Sequence, residues 1–256
     1  MENVLPLFKS HYSLGKSILT LEDNLEEPNN APVSCLALCK NSKLSRLVLV
    51  DDSMSGFLQA YQNTRQHGLE LVFGLRITIC DDITQKNEQS LKTNNKIVIF
   101  VKNSKGYKSL IKIYSQAARD GFYYEPRTDY SSLKELWNEE GLSLVIPFYD
   151  SFVHRNLLEN ALCVPEFSFT DPVFFTEDNG IPFDSLILKA VNKITSNGKK
   201  NKITKTKSIY YNRKEDFKAY LTFRCINKRA TLDKPNIDHM TSDEFCLESW
   251  KEMAHA

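Results

Sequence analysis

The stretch Arg46–Tyr61, "RLVLVDDSMSGFLQAY", decides the fold class. Leu47-Val48-Leu49-Val50 is an unbroken apolar run rich in branched side chains, as expected of a strand covered on both faces. It ends in Asp51-Asp52-Ser53, and Phe57, Leu58 and Tyr61 then recur at helical spacing. A covered strand that runs through a polar turn into a helix is the unit of an α/β protein.

Working outward, the same alternation repeats. Leu69–Ile79 and Ile97–Val101 are expected as strands, and the polar stretch "DDITQKNEQSLKTNN" between them as a loop or hairpin tip. Gly106–Ala118 places Tyr107, Leu110, Ile111 and Tyr114 on one helical face. Leu142–Ile146 reads as a strand closed by Pro147. His154–Leu162 and Phe183–Ile194 read as helices, and Ile203–Tyr211 as a late strand. Repeated strand–helix units of this length argue for a parallel sheet, and their number allows a barrel.

A chain of 256 residues with 41% hydrophobic and 25% charged residues can bury a sizeable core. Its formal net charge of +1 supplies no global pull toward nucleic acid or membrane. The N-terminus shows no signal-peptide pattern, and no span reaches about 18 consecutive apolar residues. These features point to a cytoplasmic protein. The six cysteines form no C-x-x-C pair, and Cys35 and Cys39, at i and i+4 of a helix, read as small buried hydrophobes rather than metal ligands. G-x-S-x-G, P-loop, G-x-G-x-x-G and H-E-x-x-H motifs are all missing.

Three segments in order, "RLVLVDDSMSGFLQAY" from Arg46, "LELVFGLRITIC" from Leu69 and "KIVIFVKNSKGYKSLIKIYSQAARDGFYYEPRTDY" from Lys96, resemble the PHP (polymerase and histidinol phosphatase) domain. The likeness is to the form that opens the alpha subunit of bacterial DNA polymerase III. "TLDKP" and "DEFCLES" near the C-terminus resemble that family's exit toward the polymerase core. The resemblance implies a distorted (β/α)7 TIM-like barrel over residues 1–215 and an extension over 216–256. It further implies either a gene split from its polymerase core or a chain cut at the domain boundary, with phage as a source.

In such domains two or three metal ions are held by about nine ligands, mainly His with Asp and Glu, which activate water against a phosphoester. By this resemblance the His-x-His positions fall on Leu7 and Lys9. The Asp-His pair becomes Asp51-Asp52, and the Gly-x-Glu glutamate becomes Arg76. The next histidine becomes Lys96, and the late Asp and His become Ser208 and Tyr210. Ammonium and guanidinium groups have no lone pair to donate and repel a divalent cation. With five histidines in the chain, a His-rich cluster is out of reach. The expectation is a site without metal or other cofactor, in which Arg76 and Lys96 take the place and charge of the metals and pair with Asp51 and Asp52. His11 with Asp51 and Asp52 is the residual set that could hold one weakly bound ion.

The basic run Lys199, Lys200, Lys202, Lys205 and Lys207 offers phosphate contacts, against the plainer reading of a solvated loop. The aromatic "GFYYEPRTDY" reads as packing between a helix and the barrel wall. The function implied is a non-catalytic scaffold that docks the polymerase core chain or another replisome protein and meets DNA only indirectly. The alternatives are a metal-dependent phosphoesterase or 3′–5′ exonuclease, and a free-standing mimic that captures host replication proteins.

Overall fold

The computed structural model describes residues 4–26, 32–196, 202–233 and 242–255. The chain divides into two compact units, each drawn from separate stretches of sequence.

The first unit comprises Met1–Phe73, Glu177–Asp184 and Lys205–Ala256. Its sheet is built on β1 (Leu5–Phe8), which runs parallel to both β2 (Arg46–Asp51) and β8 (Ile203–Ile209). The register is set by Phe8 opposite Leu49 and by Leu7 opposite Ser208. Leu47 and Leu49 are fully buried and Val48 and Val50 nearly so, as the unbroken apolar run requires. Helix α1 (Cys35–Asn41) is capped by Ser34, whose Oγ accepts from Leu36 N at 3.2 Å. Cys35 and Cys39 lie on its buried face as free thiols, and burial pushes Cys39 up to about 12. They act as small hydrophobes. Helix α2 (Phe57–Gln66) follows β2, and α7 (Phe217–Lys228) and α8 (Leu247–His255) complete the unit.

The second unit comprises Gly74–Thr176 and Ser185–Thr204. It holds most of β3 (Glu70–Cys80), with β4 (Asn95–Val101), β5 (Arg127–Asp129), β6 (Leu142–Ile146) and β7 (Val173–Thr176). Its helices are α3 (Ser104–Arg119), α4 (Tyr130–Leu136), α5 (Phe152–Leu158) and most of α6 (Asp184–Ser196).

Here the expectation of parallel pairing is corrected. β4 runs antiparallel to both β3 and β6, whereas β3–β5 and β6–β7 are parallel. The link from β3 to β4 contains only a 3₁₀ turn, Glu88–Lys92, so the chain returns as a hairpin without a crossover helix. The hairpin reading of that polar stretch stands.

Helix α3 also differs from its expected face. Gly106, Leu110, Ile113 and Ala117 are buried, while Ile111 is exposed. The reason is a close backbone approach: a Cβ on Gly106 would stand 1.8 Å from the Gly141 carbonyl oxygen, so the helix turns its glycine inward. Asn103 caps the same end by accepting from Gly106 N at 3.0 Å. α5 ends four residues before the expected Leu162, and Asn160 beyond it has a φ of 51°.

Candidate functional site

Each unit carries its own share of the positions at which the resemblance sets metal ligands. In the first unit Asp51, the last residue of β2, is fully buried. Its Oδ1 accepts from Ser10 N at 2.9 Å and Ser13 Oγ at 2.8 Å, and its Oδ2 from Ser10 Oγ at 2.6 Å. Burial pushes the carboxyl up from its ordinary range, while the Lys9 charge and the serine hydrogen bonds pull it down. Ser13 Oγ also accepts from Asp52 N at 2.9 Å, which locks the turn after β2.

Asp52 is held by two ammonium groups. Lys9 Nζ stands 3.1 Å from Oδ1 and Lys16 Nζ 3.2 Å from Oδ2. Lys9 is itself buried, so the cation lies inside the fold next to its carboxylate. Leu7 is buried on β1 and offers only methyl groups. His11 is half-buried, with its backbone N bonded to Leu19 O at 2.7 Å and its ring against Tyr12. No hydrogen bond or ion pair joins His11 to Asp51 or Asp52.

At β8 the sequence reading missed a carboxylate. Ser208 N and Oγ donate to Glu177 at 3.0 and 2.8 Å, and Asn179 Nδ2 donates at 3.0 Å. Burial raises the Glu177 pKa against these hydrogen bonds and the nearby Lys207 charge. Lys207, read from sequence as part of a basic surface run, is fully buried; its Nζ donates to Asp178 O at 3.0 Å and lies 3.5 Å from Glu244. Glu244 in turn bonds Lys214 at 3.2 Å. Tyr210 stacks on Phe245 with ring planes 4° apart, an apolar contact and not a ligand's posture. Lys202 and Lys205 are exposed; Lys199 and Lys200 lie outside the described residues.

In the second unit, Arg76 on β3 and Lys96 on β4, the positions at which the resemblance sets a glutamate and a histidine, carry cations whose side chains are mostly buried. Arg76 pairs with Asp150. Lys96 Nζ donates to Thr78 Oγ1 at 2.5 Å and to Glu125 Oε2 at 2.6 Å, and Thr78 Oγ1 donates to Glu125 Oε1 at 2.6 Å. Thr78 and Lys96 face each other across the β3–β4 ladder, so the sheet register builds the triangle. Within this unit the carboxylates on the two cations are Asp150 and Glu125, neither of which was named from sequence. A usable signal existed: Asp150 and Glu177, like Asp51, follow closely on apolar strands.

A fully buried guanidinium supports the Glu125 loop. Arg127 donates to Gly121 O at 3.1 Å and Gln85 O at 3.0 Å, tying the end of α3 and the β3–β4 hairpin to β5.

A cluster of two or three metals does not fit these residues. Two lysines bracket Asp52, three donors surround Asp51, and Arg76 and Lys96 place fixed positive charge where ligand lone pairs would be required.

Comparison with known proteins agrees with the sequence resemblance. The family model described as PHP domain matches residues 8–166. The chain is 24% identical over 229 residues to the DNA polymerase III subunit alpha of Borreliella burgdorferi, covering 85% of this chain and 20% of that protein. It is 26% identical to the subunit of the same name from Thermus aquaticus, over 61% of this chain and 13% of the relative. The Helicobacter pylori counterpart (strain 26695) is 26% identical over 79% of this chain and 18% of its own length. The chain thus spans about a fifth or less of these relatives.

Proposed function

The chain belongs to the PHP domain family, with the α/β architecture of that family, and from that premise we propose that it is a non-catalytic member whose former metal positions hold fixed ion pairs. The observation that carries this reading is the set of ion pairs Lys9–Asp52–Lys16, Arg76–Asp150 and Lys96–Glu125. A buried cation already paired with its carboxylate does two things a structural metal would do: it neutralises acidic side chains and ties strands to loops. It has no coordination position for a water molecule and so cannot activate one as a bound metal does.

The role that follows is a scaffold. We place it in a polymerase III alpha-like assembly, over a barrel of residues 1–215 with an extension at 216–256, docking a polymerase core chain or another replisome protein. Support comes from the relatives' shared name and from the ion pairs that already neutralise the acidic side chains. No helix among the described residues is long and apolar enough to cross a membrane, which suits a cytoplasmic setting in a bacterium, including one where a phage encodes the chain.

The competing reading is a metal-dependent phosphoesterase or 3′–5′ exonuclease. Incubation of the chain with 3′-ended single-stranded DNA and with bis(p-nitrophenyl) phosphate in Mn²⁺ separates the two. No turnover above that of Asp51→Asn is expected. Turnover in the wild type that Asp51→Asn abolishes would overturn the proposal.

A further inference from the structure

Among the described residues, one group brings three potential metal-ligand atoms of His, Cys, Asp or Glu within 4.8 Å of one another: Asp150, His154 and Glu159. All three belong to the second unit. Asp150 lies between β6 and α5, His154 in the first turn of α5, and Glu159 at its C-terminal cap. None is a position to which the family resemblance assigns a ligand.

The three side chains form a compact group. His154 is 7% exposed, and its Nδ1 stands 3.6 Å from Glu159 Oε1. With metal–ligand bonds of about 2.0–2.2 Å, two ligands of one ion stand about 3–3.6 Å apart, so this edge already has the required length. All three atoms lie within 4.8 Å of one another, so no edge has to close by more than about 1 Å to reach the same range. Asp150 and Glu159 have side chains 46% and 43% exposed, and both can make that adjustment.

Each carboxylate is also oriented from behind. Glu159 Oε2 accepts from Arg155 Nε at 2.9 Å, and Asp150 Oδ2 accepts from Arg76 Nη2. On Glu159 the other oxygen, Oε1, is the one that faces His154 Nδ1, so Arg155 stands to it as an outer-shell partner does in metal sites. The half-exposed carboxylates leave the group open to solvent on one side, while the imidazole is anchored inside. One imidazole and two carboxylates suit a first-row divalent ion with water completing its shell.

We propose that Asp150, His154 and Glu159 form a mononuclear site for a divalent transition ion such as Zn²⁺, built from residues to which the family resemblance assigns no ligand, with Asp150 shared between this site and the Arg76 ion pair. The two guanidiniums offset the two carboxylate charges, so binding is weaker than at a structural zinc site. The six cysteines are all buried and offer the ion no competing surface thiol.

The test is calorimetric titration of ZnCl₂ into the full chain after removal of metal with EDTA. One saturable equivalent is expected. His154→Gln and Glu159→Gln should each weaken binding by at least about tenfold, since even outer-shell changes cost 10–100-fold. His67→Gln and Asp51→Asn should leave it unchanged. Glu159 is half-exposed, so its variant keeps the test valid if His154→Gln does not fold. No heat from the wild type, non-saturating uptake, or binding indifferent to both ligand variants would overturn the proposal. Binding lost in Asp51→Asn but kept in His154→Gln would overturn the non-catalytic reading as well.

Discussion

The two units pair charge by opposite routes at the positions where the resemblance sets metal ligands. In the first, the strand-end carboxylate is kept. Asp51 is enclosed by the Ser10 and Ser13 donors, while Lys9 and Lys16 settle on its neighbour Asp52. In the second, the strands carry the cations and the loops supply the acids: Asp150 reaches Arg76, and Glu125 reaches Lys96. At the heart of the first, Asp51 and its serine donors are short and buried; the second pairs mostly buried cations with half-exposed carboxylates. Ionic strength and solvent therefore weaken the second more than the first.

The largest effect expected from this contrast is at Asp51. Asp51→Ala leaves Ser10 N, Ser10 Oγ and Ser13 Oγ without their acceptor, and should cost about 3–5 kcal/mol in denaturant unfolding. A cost below about 1 kcal/mol would show that the serines find other partners and that the first unit is no tighter than the second.

An intermediate effect is expected at Lys96. Lys96→Glu sets two carboxylates together beside Thr78, and should cost about 2 kcal/mol, limited by the exposure of Glu125. The exchange Lys96→Glu with Glu125→Lys should recover a good part of the loss in a double-mutant cycle. Additivity of the two changes would mean that they do not act as a pair.

The smallest effect concerns Glu177, where burial holds the carboxyl above its ordinary range. A raised folded pKa means the folded state binds the proton more tightly than the unfolded chain. The favourable contribution is then full below the ordinary glutamate range and fades as pH rises through the folded value. Glu177→Gln cannot ionise, so its melting temperature should gain on the wild type as pH rises toward neutrality. A gap that moves the other way would mean that Ser208, Asn179 and the Lys207 charge outweigh burial.

Much of this was legible in sequence, and the boundary is physical. The run 47–50 announced its strand because both faces are covered, so every residue had to be apolar. Arg76 and Lys96 were legible as cations at positions where the resemblance sets ligands, because charge type is a property of one residue. Their acids Asp150 and Glu125 were not, because they arrive on loops 74 and 29 residues away, and only the folded sheet brings them close. Glu125 in particular sat in a segment read as aromatic packing. The antiparallel course of β4 escaped because a buried strand shows the same apolar run in either direction. Lys207 misled for a related reason: among neighbouring lysines, nothing local marks the one that is buried.

The most direct test of the central claim is bound metal together with melting temperature, measured on His154→Gln so that the Asp150–His154–Glu159 group does not contribute. The protein would be incubated with Mn²⁺ or Zn²⁺, desalted and compared with an EDTA-treated sample. The account predicts less than about a tenth of an equivalent retained and no shift in melting temperature, since an ion that does not bind the native state cannot stabilise it. Two or more equivalents, with a rise in melting temperature that Asp51→Asn removes, would contradict it and restore a metal cluster to the PHP positions.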